Sequence, residues 1–223
     1  LADGIVSDPK QVRRYGEVIT GEGRRLTQMV EQIMEFAGFE SGRTTLEVRP
    51  ADVGAILDEA LRTAAHLVRE HGATIEQRVA SALPPVLVDA SAVSRSVQNL
   101  LVNALKYGGA PPLVRIEATL APGRPGDVQI SVADNGAGIA ARDLPHIFEP
   151  FYRGADATAR QIHGSGLGLS LVKRIMQEVG GRVSVRTEPG KGSTFTLHLP
   201  VAPEGVRESA GVLPDPHTPL SAR

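Results

Sequence analysis

Asn99-Leu100-Leu101-Val102-Asn103-Ala104-Leu105-Lys106-Tyr107 is the stretch on which the reading of the chain turns. Its composition is that of a helix with two unlike faces. Leu100, Leu101, Val102 and Leu105 are expected to point inward, while Asn99 and Asn103, four residues apart, share a polar face with Lys106 near it. A single asparagine on a half-exposed helix would simply meet solvent, but two amides and an ammonium group on one side suggest something polar to hold. Three further segments follow in order. They are Asp134-Asn135-Gly136-Ala137-Gly138-Ile139, then Phe148-Glu149-Pro150-Phe151-Tyr152-Arg153-Gly154, then Gly164-Ser165-Gly166-Leu167-Gly168-Leu169.

Each segment suggests part of a site for a magnesium-bound adenine nucleotide. Amide oxygens are hard, neutral ligands, so Asn99 and Asn103 suit Mg²⁺, an ion that keeps several waters and takes phosphate oxygens besides. Lys106 offsets triphosphate charge. Asp134 at the end of a strand can accept from the adenine 6-amino group, whereas guanine would set its O6 acceptor against the carboxylate. Gly136 and Gly138 let backbone approach the ring. Gly164, Ser165, Gly166, Leu167 and Gly168 lead into a helix whose N-terminus and backbone N–H groups make an anion site. Taken singly, each motif has a plainer meaning: Asn135-Gly136 is a hairpin turn signal, the glycine run a hinge, and the aromatics of 148–152 core anchors. Two other nucleotide motifs fail on spacing. A dinucleotide fingerprint needs G-x-G-x-x-G after a strand, and a P-loop needs Gly-Lys directly before Ser or Thr, which Gly190-Lys191-Gly192-Ser193 interrupts.

Outward from these motifs, residues 11–38 are expected to form one helix. Val12, Ile19, Leu26 and Ile33 recur every seven residues, with Tyr15, Glu22, Met29 and Phe36 between them, as in a helical bundle. Gly38 and Gly42 end it. The pattern then predicts a strand at 44–49 stopped by Pro50 and a helix at 53–70 capped by Asp52. Strands at 74–79 and 86–88 follow, then a helix capped by Asp89 or Ser91 that reaches Tyr107. Paired strands are expected at 113–120 and 128–134, a mobile lid at 140–163 that orders on nucleotide, a helix at 168–179, and a closing hairpin at 182–187 and 193–199. The fold class is α+β: a two-layer sandwich with helices on one face of a mixed sheet. Pro, Gly, Ser and Ala dominate after Pro200, so 203–223 is expected to be a disordered tail or linker.

Composition narrows the function. A net charge of −1 argues against a polyanion-binding surface and hence against nucleic acid as a partner. With no Cys there is neither a disulfide nor a thiolate metal site. Hydrophobic residues at 41% support a core, which 4% aromatics and no Trp make aliphatic. No apolar run approaches the ~20 residues that span a bilayer. The chain opens with Leu1-Ala2-Asp3-Gly4 and not with Met, which suggests a piece of a longer protein.

The four segments resemble the N, G1, F and G2 boxes of the catalytic domain of bacterial sensor histidine kinases, within the GHKL group that also holds the Hsp90 chaperones, gyrase-type topoisomerases and MutL. The resemblance spans about Val12 to Pro200 and implies the Bergerat ATP-binding fold. Phe148–Gly154 and the Asn-Ala-x-Lys-Tyr form of the first box look most like the histidine kinases. The helix at 11–38, with Arg24-Arg25-Leu26 and Glu31-Gln32-Ile33-Met34, is similar to the second helix of their dimerisation and phosphoacceptor hairpin. The domains are then 1–43, part of that hairpin; 44–202, the catalytic ATP-binding domain; and 203–223, the tail. The resemblance implies ATP and Mg²⁺ as cofactors, with Lys106 and Arg153 on phosphates, Tyr107 flanking the nucleotide, Ile139 and Phe151 in its pocket, and Thr194 near adenine. It also implies a response-regulator receiver domain as partner, a homodimer through the hairpin, and a cytoplasmic fragment of a parent anchored in the bacterial inner membrane. One departure is decisive: the family's His-Glu-Leu-Arg-Thr-Pro-like phosphoacceptor box is absent, and His66, His71, His146, His163, His198 and His217 all lack its neighbours. Where the family's ATPases carry a water-activating Glu, one turn before the Mg²⁺-binding Asn, this chain has Asn99. The alternatives are a GHKL-type ATPase, a serine kinase of the anti-sigma type, or a nucleotide-binding interaction module without turnover.

Overall fold

The structure, a computed structural model, describes residues 9–124, 126–154 and 164–207. Helix α1 runs Pro9–Glu40, two residues longer at each end than the periodicity predicts. Pro9 suits a first helical turn, where its missing N–H is not needed. Gly38 stays helical, and the chain doubles back so closely over it that a Cβ there would lie 2.6 Å from the Thr44 hydroxyl. The C-terminal turns of α1 pack against the remainder of the described chain. Phe39 is buried, Glu35 pairs with Arg95 at 2.9 Å, and the Phe36 ring meets Phe151 edge-on at 6.4 Å. The heptad positions Val12, Ile19, Leu26 and Ile33 are exposed.

Strand β1, Arg49–Ala51, differs from the expected 44–49: it contains Pro50 and pairs antiparallel with β3, Val86–Val88. An edge strand of a two-stranded sheet tolerates a proline that a central strand would not. Helix α2, Val53–Glu70, follows Asp52, whose carboxylate accepts from the Ala55 N–H at 2.8 Å. After β2, Thr74–Val79, helix α3 spans Ala90–Tyr107. Of the two candidate caps the structure uses Asp89, which accepts from Ala92 N–H at 3.0 Å and from the Ser91 hydroxyl at 2.7 Å. Strands β4 (Leu113–Leu120) and β5 (Asp127–Asp134), helix α4 (Gly168–Glu178) and strands β6 (Arg182–Glu188) and β7 (Gly192–Pro200) complete the domain. A short helix α5, Glu204–Arg207, enters the segment read as tail, and residues 208–223 lie outside those described.

The main sheet has the order β2-β4-β5-β7-β6, with β2 and β4 parallel and every other pair antiparallel. This is the mixed sheet that the pattern predicts. Strand alternation sends Val114, Ile116, Val128, Ile130, Val132, Phe195, Leu197 and Leu199 to one face, where they are buried with Leu57, Leu100, Leu101, Leu171, Ile175 and Met176 of α2, α3 and α4. The core is aliphatic apart from Phe39 and Phe195.

The other face of the sheet is polar and includes a buried histidine. His198 accepts at Nδ1 from Arg182, 2.8 Å away, and meets Ser184 at Nε2 at 3.0 Å. A guanidinium can only donate, so Nδ1 carries no proton. Gln129 also reaches Nδ1 at 3.2 Å, and Arg182 is itself paired with Asp127 at 2.9 Å. Burial lowers the His198 pKa below the ordinary 6.5, the Arg182 and Arg124 charges lower it further, and Asp127 opposes them. The unfolded chain protonates this histidine at the ordinary value and the folded chain only at lower pH. The stability that neutral His198 contributes is therefore complete above about 6.5 and lost as pH falls below it. Thermal unfolding of wild type and His198→Gln at pH 7 and pH 5 should show a smaller acid-induced drop in the variant; equal drops would exclude this histidine as the cause.

Candidate functional site

A cavity opens between α3, the ends of β5 and β7, the N-terminus of α4 and the segment 137–154. Helix α3 places Asn99, Val102, Asn103 and Lys106 along one wall, at positions i, i+3, i+4 and i+7. The adjacent Leu100, Leu101 and Leu105 are buried in the core, so the amide face has no other direction to take. Val102, expected inward, instead supplies apolar wall to the cavity. Tyr107 ends the helix at the rim. Its phenol pKa is raised by burial, with the Arg153 charge opposing, and both residues line the cavity.

Asp134 stands at the end of β5. Its Oδ1 accepts from the N–H groups of Gly136 at 2.8 Å and Ser193 at 3.2 Å. Burial raises its pKa above the ordinary aspartate value and those two hydrogen bonds pull it back. Both bonds among the described residues fall on Oδ1, and Asp134 lines the cavity. Gly136 is buried under the Tyr107 carbonyl, where a Cβ would lie 2.0 Å from the Tyr107 oxygen. It does not touch the cavity; it permits the backbone contact that shapes it. Gly138 and Ile139 do line it, and the Ile139 N–H donates to the Thr187 hydroxyl at 2.8 Å, fastening this turn to the closing hairpin.

Gly164, Ser165, Gly166 and Gly168 line the opposite end, where α4 begins. Gly166 has φ of +74°, and its carbonyl accepts from Phe151 N–H at 3.0 Å. Any Cβ there would strike the Phe151 backbone, so glycine is required twice over. Leu167 is fully buried and anchors the loop. Gly168 packs beside the Asn99 amide, which brings the glycine loop and the two-amide helix together.

Besides Gly136 and Leu167, which pack behind the cavity, two further expected residues, Phe151 and Thr194, do not line it. Phe151 has a left-handed backbone, φ +63°, and its exposed ring turns to Phe36 of α1; Tyr152 lines the cavity in its place. Thr194 points to the polar face of the sheet, because side chains alternate along β7, and Ser193 and Phe195 face the cavity. Thr194 is one position out of register with the cavity-facing residues of β7, a register that the buried Phe195 and Leu197 set. Asp143 was also missed: it lines the cavity and accepts from the Tyr152 hydroxyl at 2.9 Å. So was Gln32 of α1, whose Oε1 accepts from Ser165 at 2.6 Å and for which no local sequence signal exists. Residues 155–163, the remainder of the expected lid, including His163, lie outside those described.

Among the described residues no group of three or more His, Asp or Glu side chains could hold a metal alone. The cavity donors fit Mg²⁺ in another way: Asn99 and Asn103 are neutral oxygen ligands, suited to an ion that arrives with phosphate oxygens and water.

Residues 88–203 match the family described as histidine kinase-, DNA gyrase B-, and HSP90-like ATPase. The sensor-like histidine kinase SenX3 of Mycobacterium tuberculosis is 35% identical over 212 residues, covering 93% of this chain and 50% of its own length. Full-length ShkA, solved in complex with AMPPNP, superposes with a TM-score of 0.71 at 30% identity, over 85% of this chain and 39% of that one. Histidine kinase ThkA in complex with response regulator protein TrrA gives a TM-score of 0.69 at 22% identity, over 91% of this chain and 55% of that one, a likeness of fold. The chain spans about half the length of the SenX3 relative it matches.

Proposed function

The chain belongs to the family of histidine kinase-, DNA gyrase B- and HSP90-like ATPases, and from that premise we propose that it is the ATP-binding catalytic part of a sensor histidine kinase. It transfers the ATP γ-phosphoryl group to a histidine outside this chain, for relay to a response-regulator aspartate. The observation that carries this is the cavity itself, where Asn99, Asn103, Lys106, Asp134 and the loop at Gly164–Gly168 converge from separate elements. Asp134 accepts from the adenine amino group. Asn103, with Asn99, would hold Mg²⁺, which would supply charge neutralisation for the phosphates. Lys106, Arg153 and the N–H groups opening α4 hold the phosphates. The long relatives are sensor kinases, which supports a parent anchored in the inner membrane with this part on the cytoplasmic side. Among the described residues no helix is long and apolar enough to cross a membrane. The exposed heptad face of α1 fits a helical bundle and supports a homodimer.

The nucleophile must come from elsewhere. Among the described histidines none lines the cavity: His66 and His71 sit at the end of α2, His146 pairs with Glu149, and His198 is locked into the sheet. Asn99 cannot serve as the base that hydrolysis needs. The chain alone is therefore expected neither to phosphorylate itself nor to hydrolyse ATP appreciably. With γ-labelled ATP the unextended chain should stay unlabelled. The same chain joined in phase to a phosphoacceptor helix ahead of α1 should gain acid-labile phosphate, and Asn103→Ala should abolish it. Label mapped to any of the six histidines of the unextended chain would overturn the reading; rapid ATP hydrolysis would favour the ATPase alternative.

A further inference from the structure

Asn135 lies between the acidic Asp134 and the tightly packed Gly136, and no step above uses its side chain. That side chain makes three hydrogen bonds to one loop. Its Oδ1 accepts from the N–H groups of Gly109 and Leu113, each at 2.9 Å, and its Nδ2 donates to the Pro111 carbonyl at 3.2 Å. The loop is Gly108-Gly109-Ala110-Pro111-Pro112, which joins the end of α3 to β4. The Pro112 carbonyl of this segment accepts from Thr74 N–H at 2.9 Å, and the Asn135 amide supplies partners for Gly109, Pro111 and Leu113. Gly109 packs directly on that amide, where a Cβ would lie 2.8 Å from Nδ2.

The consequence lies one residue away on each side. Lys106 and Tyr107, immediately before the loop, form one wall of the cavity; Asp134, immediately before Asn135, forms the base-reading wall. The walls also touch through the Tyr107 carbonyl and Gly136. We propose that Asn135 is a positioning residue for base recognition, an amide clamp that sets Tyr107 at the separation from Asp134 that an adenine ring requires. Asp134 keeps its own bonds to Gly136 and Ser193 when the clamp is lost, so the carboxylate stays in place while the opposite wall drifts. Discrimination between bases then falls, although the fold survives. This rests on the reading that the cavity binds Mg·ATP.

The test is calorimetric titration of the full chain with Mg·ATP and Mg·GTP, with thermal unfolding in parallel, for wild type, Asn135→Ala and Gly109→Ala. The second variant pries at the clamp from the other side, since its new methyl would meet both Nδ2 and the backbone oxygen of Asn135 within 3.0 Å. Each variant is expected to weaken ATP about tenfold, as befits the loss of hydrogen bonds of modest net worth. GTP should change less than twofold, and Tm by only a few degrees. ATP affinity within twofold of wild type in both variants overturns the proposal. So does an equal proportional loss of ATP and GTP, the mark of a merely loosened fold. A wild-type chain that binds no ATP removes the functional reading and the clamp with it; normal wild-type binding with indifferent variants removes the clamp alone.

Discussion

Alanine in place of Gly136 is expected to abolish measurable nucleotide binding. The new methyl would lie 2.0 Å from the Tyr107 carbonyl oxygen and 2.8 Å from both the Tyr107 carbonyl carbon and the Asp134 Oδ1. Backbone cannot step aside as a flexible side chain can. The far side of the turn is closed as well, because Gly192 meets it so tightly that a Cβ there would lie 2.0 Å from the Asp134 carbonyl oxygen. Relief requires moving the 134–136 turn, which breaks the 2.8 Å bond from Gly136 N–H to Asp134 and swings the base-reading carboxylate out of the cavity. Overpacking of this kind costs on the order of 1–3 kcal/mol or more. Added to the lost carboxylate contact, it should weaken Mg·ATP at least about a hundredfold by calorimetry. Circular dichroism would confirm that the sheet persists. Binding within threefold of wild type would mean that the turn is not the rigid element described.

Exchange of Asp134 for asparagine should change which base is preferred. The variant amide oxygen can still accept from Gly136 and Ser193, so the turn is retained. The position facing the base becomes an NH₂ group, which opposes the adenine amino donor and suits a guanine O6 acceptor. ATP affinity should fall by the ~1–3 kcal/mol of a lost charged hydrogen bond, about five- to 150-fold, while GTP improves. In the wild type, burial raises the Asp134 pKa. Protonation removes the acceptor, so ATP binding should weaken on acidification at a higher pH than an exposed aspartate would dictate, and the asparagine variant should lose that dependence. Unchanged ATP-to-GTP preference in Asp134→Asn would place base recognition elsewhere.

What the sequence disclosed follows from how local each signal is. Asn99, Asn103 and Lys106 could be assigned to one wall because helical spacing alone puts them there, and Asp52 and the 53–70 helix were legible from a cap and a period. Glycine positions announced close backbone approach without saying to what: Gly136 faces Tyr107 and Gly166 faces Phe151, pairings that only the folded chain supplies. Long-range contacts left no trace. Gln32 and Ser165 meet at 2.6 Å across 133 residues, and β1 forms around Pro50 because β3 lies beside it. Register was the finest failure: Thr194 and Ser193 differ by one position, and period-two alternation sends them to opposite faces of the sheet. Phe151 was misplaced for a conformational reason, since nothing in Phe148–Gly154 signals a left-handed phenylalanine.

All of this depends on one cavity selecting a magnesium-bound adenine nucleotide. Calorimetric titration of the wild-type chain with ATP and with GTP, each with and without Mg²⁺, tests it most directly. Saturable ATP binding that weakens when Mg²⁺ is withdrawn, with GTP at least about tenfold weaker, is the expected result. Equal affinity for the two nucleotides, or no binding of either, would contradict it.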